Sequence, residues 1–315
     1  MKKMIFLLLF IFFLNQKAVT IFEGAAMTVP YRISIGKNLT SIEKMDVHSI
    51  LEATLQEIDN SLNNWNPQSE VSLLANLKFL ETKKISPFLD HFLTRVDALV
   101  EISNFFFDPT ISTLYQCWKK CLPSQQQILS LTQAVGWEKV HHQKGIFWKD
   151  HSDLCLDFCG IAKGYAVDLI AERLKGAGYS DFLVDWGGEM KASGKHPKGR
   201  AWTVAIAPVS FDQKRLLVPL EDMAIATSGD TFQHWKYEGK IYSHLINPKT
   251  SYPIEVREDS IASVTVVAKE CLVADALASL LMLFPTKEEA KAVGNTLKKK
   301  FPELQFWIQT RLSDE

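Results

Sequence analysis

The sequence lacks most of the features that would place it in a specialised class. No cysteine precedes Cys117, which excludes a lipid-modified cysteine near the N-terminus. The formal net charge is only −1, so no field steers the chain onto DNA or RNA, and nucleic acid is not an expected partner. No apolar run reaches the roughly 20 residues that span a bilayer comfortably as a helix. No Pro- or Gly-rich linker divides the chain, and it has neither an internal repeat nor a low-complexity stretch. The glycine fingerprint of doubly wound dinucleotide-binding folds is missing as well. With 47% hydrophobic and 23% charged residues, the composition disfavours disorder and coiled coil and can fill a sizeable core.

The N-terminus carries the first positive signal. Lys2 and Lys3 precede an unbroken apolar run from Met4 to Leu14, and Asn15, Gln16 and Lys17 follow. A basic start before a short apolar stretch is the layout of a secretory signal, the alternative being a buried N-terminal strand or helix. Ala18 is small but Gln16 is not, so cleavage and retention as a membrane tether both stay open. The expectation is a signal or tether over residues 1–18, a domain over 20–315, and export to the periplasmic side of a bacterial inner membrane. The five cysteines are Cys117, Cys121, Cys155, Cys159 and Cys271, an odd number that leaves at least one unpaired. On a strand Cys155 and Cys159 would stand about 13 Å apart, too far for a bridge. Their spacing does not suit zinc, and they read mostly as small buried hydrophobes.

Periodicity supplies the elements. Tyr31, Ile33 and Ile35 share one face of a strand over 28–35. Val47, Ile50, Leu51, Thr54, Leu55, Ile58 and Leu62 recur at helical spacing, and the polar loop Asn63-Asn64-Trp65-Asn66-Pro67 ends that helix. Another helix fits Phe88 to Val100, and a third starts after Ser124 as N-cap. Leu154 to Phe158 reads as a strand leading into a helix through Ile161, Tyr165, Leu169 and Leu174, ended by Gly176 and Gly178. Strands fit Phe182–Val184, Trp202–Ala207, Tyr242–Ile246 and Ser263–Ala268, with a helix from about Leu272 to Phe284. Helices and strands intermix, and adjacent strands can be antiparallel. The pattern predicts one α+β domain, with mixed or antiparallel sheets and packed helices.

Some segments are too specific for packing alone. They are Asp157-Phe-Cys-Gly-Ile-Ala-Lys-Gly-Tyr-Ala-Val-Asp168, Val184-Asp-Trp-Gly-Gly-Glu189, Ala226-Thr-Ser-Gly-Asp230 and Tyr242-Ser-His-Leu-Ile-Asn-Pro248. A strand and a Gly-containing turn opening a helix place backbone N–H groups where an anion can sit, and Lys163 in the first turn adds positive charge. Asp275 and Ser279 stand at i and i+4 of a helix, on one face and within reach of one hard cation. The plain alternative is an Asp that favours the helix dipole. His244 is a candidate base or a structural strand histidine. Trp65, Phe106 and Phe107 are flat apolar groups suited to stacking or to the core. Thr227-Ser228-Gly229-Asp230 suits a phosphate- or acceptor-facing loop, or a turn with a capping hydroxyl.

Together with Phe107-Asp108-Pro109-Thr110 and Ala274-Asp275-Ala276, these segments resemble the ApbE family, the FAD:protein FMN transferases, from about Met27 to Phe284. The resemblance implies a T-fold-like α+β domain. It implies Mg²⁺-dependent transfer of FMN from FAD to a threonine or serine of a redox protein, with release of AMP. The acceptors it suggests include membrane subunits of sodium-pumping NADH:quinone oxidoreductases. Hydrolysis of FAD to FMN and AMP, and non-enzymatic holding of flavin, are the competing readings. By resemblance, FAD contacts fall on Met27, Trp65, Phe106, Phe107, Asp108, Asp157, Lys163 and Ile246. The metal ligands fall on Asp275, Ser279 and the backbone carbonyl of Gly160, and Asp275 and His244 carry the catalysis. Three departures stand out. Ala278 replaces a carboxylate of some members, Asn247 replaces the usual Asp before its Pro, and Ile111-Ser112-Thr113 replaces Val-Gly-Pro.

Overall fold

The computed structural model describes residues 19–209, 215–231 and 233–311. The expected signal or tether over 1–18 lies outside the described residues. The described chain opens on a hairpin of β1 (Thr20–Ala26) and β2 (Val29–Ile35). Met27 and Thr28 form its two-residue turn with φ of 50° and 64°, the positive-φ geometry that matches strand twist. Helices α1 (Ser41–Leu62) and α2 (Glu70–Ala75), strand β3 (Lys83–Lys84) and helix α3 (Pro87–Ile102) follow. Then come α4 (Ser112–Lys120), α5 (Gln125–Thr132), β4 (Val140–Gln143), β5 (Ile146–Lys149) and α6 (Ala162–Gly176). A run of strands continues through β6 (Phe182–Trp186), β7 (Glu189–Ser193), β8 (Trp202–Ile206), β9 (Leu216–Leu220) and β10 (Ala224–Gly229). After β11 (His234–Tyr237), β12 (Lys240–Asn247), β13 (Tyr252–Glu255) and β14 (Ile261–Ala268), the chain closes with α7 (Cys271–Leu281), α8 (Lys287–Leu297) and β15 (Gln305–Thr310).

Side-chain caps fix several helix starts. Thr40 and Ser124 each make a reciprocal capping box, with Glu43 and Gln127 respectively, and each satisfies amides that a helix start leaves unpaired. Ser86 caps α3 ahead of Pro87, whose missing N–H costs nothing at the first helical position.

The main sheet has the order β1-β2-β6-β7-β10-β14-β15, and every pairing in it is antiparallel. Alternation along the strands sorts its two faces. Phe182 and Val184, Ala224 and Ala226, and Val264 and Val266 join α1, α3, α6 and α7 in one large core. Leu183, Ile225 and Val267 point the other way, against Trp202, Val204 and Val218 of the β8–β9 hairpin. A strand covered on both faces has no polar side, and all of β14 is buried. Three-stranded sheets β11-β12-β13 and β3-β5-β4 flank this body. The α+β expectation holds.

Three local expectations do not. Leu154–Phe158 makes no ladder, only a single bridge from Cys155 to Ile111. Its backbone is claimed otherwise: Asn64 Nδ2 donates to Leu156 O, Phe158 N donates to Asn64 Oδ1 at 3.4 Å, and Asp157 N donates to Pro109 O at 2.7 Å. Thr227–Gly229 is no loop but the end of β10, paired with β14. Of the five free cysteines only Cys271 is buried, whereas Cys121 and Cys159 are exposed.

Candidate functional site

Helices α6 and α7 are locked together by residues that sequence spacing cannot connect. The N-cap residue of α7, Glu270, makes no side-chain cap. Asp168 of α6 serves instead, accepting from Cys271 N at 3.0 Å and from Leu272 N at 2.8 Å. Lys191 pairs with the same carboxylate at 2.5 Å. This cap from a neighbouring helix satisfies amides at the start of α7 and fixes the register of the two helices. One turn along α7, Asp275 Oδ2 accepts from Gly164 N at 3.1 Å. A Cβ on Gly164 would lie 2.5 Å from Cys271 O and 2.9 Å from Asp275 Cβ, so only glycine allows this approach.

The pair encloses a charge cluster. Asp275 and Glu189 are both buried, and Lys163 Nζ bonds Glu189 Oε2. Burial, then the charge of Glu189, pushes the Asp275 carboxyl well above the usual carboxylate range, against the pull of Lys163 and the Gly164 N–H. Burial likewise raises Glu189, with Lys163 opposing. For Lys163, burial is the largest single influence and acts downward, but Glu189 and Asp275 together hold the ammonium above its ordinary value. Two buried carboxylates thus share one ammonium, a balance that one more positive charge would complete.

Ser279 places a neutral hydroxyl one turn beyond Asp275, its Oγ 2.8 Å from Ser228 Oγ of β10. A Cβ on Gly160 would sit 3.4 Å from that oxygen and 3.8 Å from the Phe107 ring, so the Gly160 backbone edges directly on Ser279. Among the described residues no group of three or more His, Cys, Asp or Glu side chains is arranged to hold a metal. The Asp275 carboxylate, Ser279 hydroxyl and Gly160 backbone fit the other pattern, a hard ion that takes few protein ligands and keeps water and phosphate oxygens.

The remaining candidates are more widely spread. Met27 sits in the β1–β2 turn beside a cavity of about 580 Å³ lined in part by Val29, Tyr31, Asp185, Gly187 and Gly188. A Cβ on Gly187 would meet Val29 at 2.5 Å and Lys163 Cδ at 3.7 Å, which places this hairpin end beside Lys163. Asp157 Oδ1 accepts from Cys159 N at 2.8 Å, holding the turn before Gly160. Trp65 is 70% exposed, and Lys119 Nζ stands 5.2 Å from its ring centroid. Phe106 packs on Phe284 at 5.2 Å. The Asp108 carboxylate is occupied, accepting from Thr110 N at 2.9 Å, Thr110 Oγ1 at 2.6 Å and Trp137 N at 3.2 Å. It organises its loop. Helix α4 begins at Ser112, so the departure at Ile111-Ser112-Thr113 continues as helix. Ile246 is buried in a separate cluster with Leu114, Trp118 and Ile128.

His244 lies on β12 with its Nδ1 buried and without a partner. Burial lowers its pKa from 6.5, His234 helps, and Asp230 opposes. The structure therefore gathers Gly160, Lys163, Asp275, Ser279 and Phe107 into one centre, with Met27 at its edge. Asp168 and Glu189 went unrecognised as site residues in the sequence, although both close segments singled out there. Their only signal was a carboxylate at the end of each segment.

Comparison with known proteins agrees with this fold. The sequence model of the ApbE family matches residues 27–301. A relative named FAD:protein FMN transferase from Chlamydia muridarum is 35% identical over 297 residues, covering 90% of this chain and 91% of that protein. One of the same name from Chlamydia pneumoniae is 37% identical over 284 residues, covering 88% of each. The solved structure of the Pseudomonas stutzeri flavinyl transferase ApbE, apo form, has a TM-score of 0.82 at 28% identity, covering 94% of this chain and 92% of that one. The flavin transferase ApbE from Vibrio cholerae has a TM-score of 0.81 at 25% identity, covering 95% of each chain.

Proposed function

The chain belongs to the ApbE family, and on that footing we propose that it transfers the FMN part of FAD to a threonine or serine hydroxyl of a partner redox protein. The observation that carries this reading is the buried cluster of Asp275, Glu189 and Lys163 beside Ser279 and Gly160. Its two buried carboxylates face a single ammonium, and its oxygen groups suit a hard cation. Asp275, Ser279 and the Gly160 carbonyl are the residues to hold Mg²⁺. When bound, Mg²⁺ would supply positive charge to the pyrophosphate oxygens.

The protein's own groups account for the remaining steps. The turn after Asp157 and the start of α6 offer backbone N–H groups and the Lys163 ammonium to a phosphate. Trp65, Phe106 and Phe107 offer flat faces to the flavin. The acceptor hydroxyl oxygen attacks the phosphorus on the FMN side, a new P–O bond forms, and the bond to AMP breaks with its electron pair leaving on the AMP phosphate. The imidazole of His244 takes the hydroxyl proton. The acceptor belongs to the class of sodium-pumping NADH:quinone oxidoreductase subunits, met on the periplasmic side of the inner membrane.

Incubation of purified protein with FAD, Mg²⁺ and such a subunit tests the reading. The expected result is a fluorescent, covalently flavinylated acceptor with one AMP released per flavin. Free FMN and AMP without label would make the protein a hydrolase. Bound but intact FAD would make it a carrier.

A further inference from the structure

The loop after α1 is held as a unit by its own side chains. Asp59 of α1 accepts from Asn63 Nδ2 at 2.6 Å and from Asn66 Nδ2 at 3.0 Å, so one carboxylate closes both ends of it. Trp65 N donates to Asn63 Oδ1 at 3.0 Å, and Ser69 Oγ donates to Asn63 O at 2.8 Å. Asn64 turns the other way, to the segment that leads into Gly160. Its Nδ2 donates to Leu156 O, and its Oδ1 accepts from Phe158 N at 3.4 Å. Bonding the residues on either side of Asp157 is what a residue of a parallel strand does to its neighbour. Here one side-chain amide takes that place. Phe158 then frames the turn that holds Gly160. Its carbonyl accepts from Ile161 N at 2.9 Å and Ala162 N at 2.8 Å, and its buried ring packs edge-on against Phe92 at 4.9 Å.

We propose that Asn64 is a positioning residue for flavin transfer, its side-chain amide tying the loop that carries Trp65 to the turn that carries Gly160. The inference rests on the reading of Trp65 as a flavin face and of Gly160 as a metal ligand. The flavin ring and the pyrophosphate of FAD are parts of one molecule, so the face for the ring and the turn beside the phosphates must stand at a matching distance. Trp65 is 70% exposed, and its loop belongs to α1 rather than to α6, so core packing of the ring does not set that distance. Asn64 sets it through two bonds on a side chain with a single methylene, which allows little play. The amide is suited to both bonds at once, because it presents a donor and an acceptor side by side. A carboxylate keeps the acceptor and loses the donor, and an alanine loses both.

The test is FAD binding with and without Mg²⁺, followed by flavin fluorescence, in the full-length protein and in Asn64→Ala and Asn64→Asp. Riboflavin, which carries the ring system without phosphate, probes the flavin face by itself. Mg²⁺ should tighten FAD in the parent, and Asn64→Ala should cut that tightening about tenfold, since a misplacement of about 1 Å can cost far more. Riboflavin affinity should stay parental. The tightening is a ratio taken within each variant, so lost stability alone does not move it. Asn64→Asp should lose part of the ratio, and it decides the question if Asn64→Ala fails to fold. A parental ratio in a folded Asn64→Ala would overturn the proposal. So would a riboflavin affinity that falls as far as that for FAD, because Asn64 would then support the flavin face alone. A parent whose FAD binding ignores Mg²⁺ would overturn the coupling at its root. Loss of the ratio in Asn64→Ala, with a parent that flavinylates no acceptor, would keep the positioning role and overturn the transfer reading instead.

Discussion

A histidine serves as a base only while neutral, and the surroundings of His244 favour the neutral ring. Burial lowers its pKa from 6.5, so the imidazole remains deprotonated further into acid than an exposed histidine. The sign is definite: transfer should be flat above pH 6.5 and decline only as the pH falls through the lowered value. His244→Ala should keep FAD affinity and slow flavinylation by about 10²-fold, the usual scale for loss of a general base. An unchanged rate in that variant would make the histidine structural. Asp275 is the second test at this scale. Asp275→Ala removes a ligand and a repulsion together, leaving Glu189 paired with Lys163, so the variant should fold while Mg²⁺-dependent transfer collapses. Ser279→Ala, which loses only a neutral ligand, should shift the Mg²⁺ midpoint less. An unchanged midpoint and rate in Asp275→Ala would reduce the residue to a helix-packing role. The Asp275–Ser279 pair was legible in the sequence because both lie on one helix. Glu189 was not, because its partner Lys163 is 26 residues away on another element.

At the level of elements, the site depends on how closely α6 and α7 approach. Gly164 is the contact point, and a methyl there would stand 2.5 Å from the backbone oxygen of Cys271. Backbone cannot yield as a side-chain tip can, so Gly164→Ala must push the helices apart. The expected destabilisation is about 1–3 kcal/mol, the range for overpacking a filled interior. Urea unfolding measures it directly. The same displacement takes Asp275 away from the Gly164 N–H, so the Mg²⁺ midpoint should rise in step with the lost stability. A variant that is destabilised while its Mg²⁺ response stays parental would separate packing from ligand placement. Gly164 lies within the segment from Asp157 to Asp168 that stands out in the sequence, but its neighbour is a helix whose position only the fold reveals. The same limit explains the segment over 154–158. It carries a strand's apolar residues, as β14 does. β14 finds ladder partners on both edges, whereas Asn64 and Pro109 take the backbone groups of the other segment first.

Across the whole molecule, the sequence disclosed the class of fold more readily than its order. Alternating strands and amphipathic helices announce an α+β body. No local signal says that β2 lies beside β6, or that β10 stands between β7 and β14. Strand β1 escaped notice because it is an edge strand with few buried positions. The expected N-terminal signal differs in kind, since such a segment is written in composition alone and read by export machinery rather than by packing. Lys2 and Lys3 before the apolar run Met4–Leu14 lead to the prediction that the folded body works beyond the inner membrane. None of the helices among the described residues is long and apolar enough to cross a membrane. Alkaline phosphatase joined after residue 40 reports the outcome, because it becomes active only where its disulfides can form. The fusion should be active in a bacterial host, and replacing Leu8 and Leu9 by Asp should abolish that activity by interrupting the apolar run. Activity that survives those changes would separate export from this segment. A parental fusion that accumulates inactive in the cytoplasm would remove the periplasmic setting, and with it the class of acceptor met there.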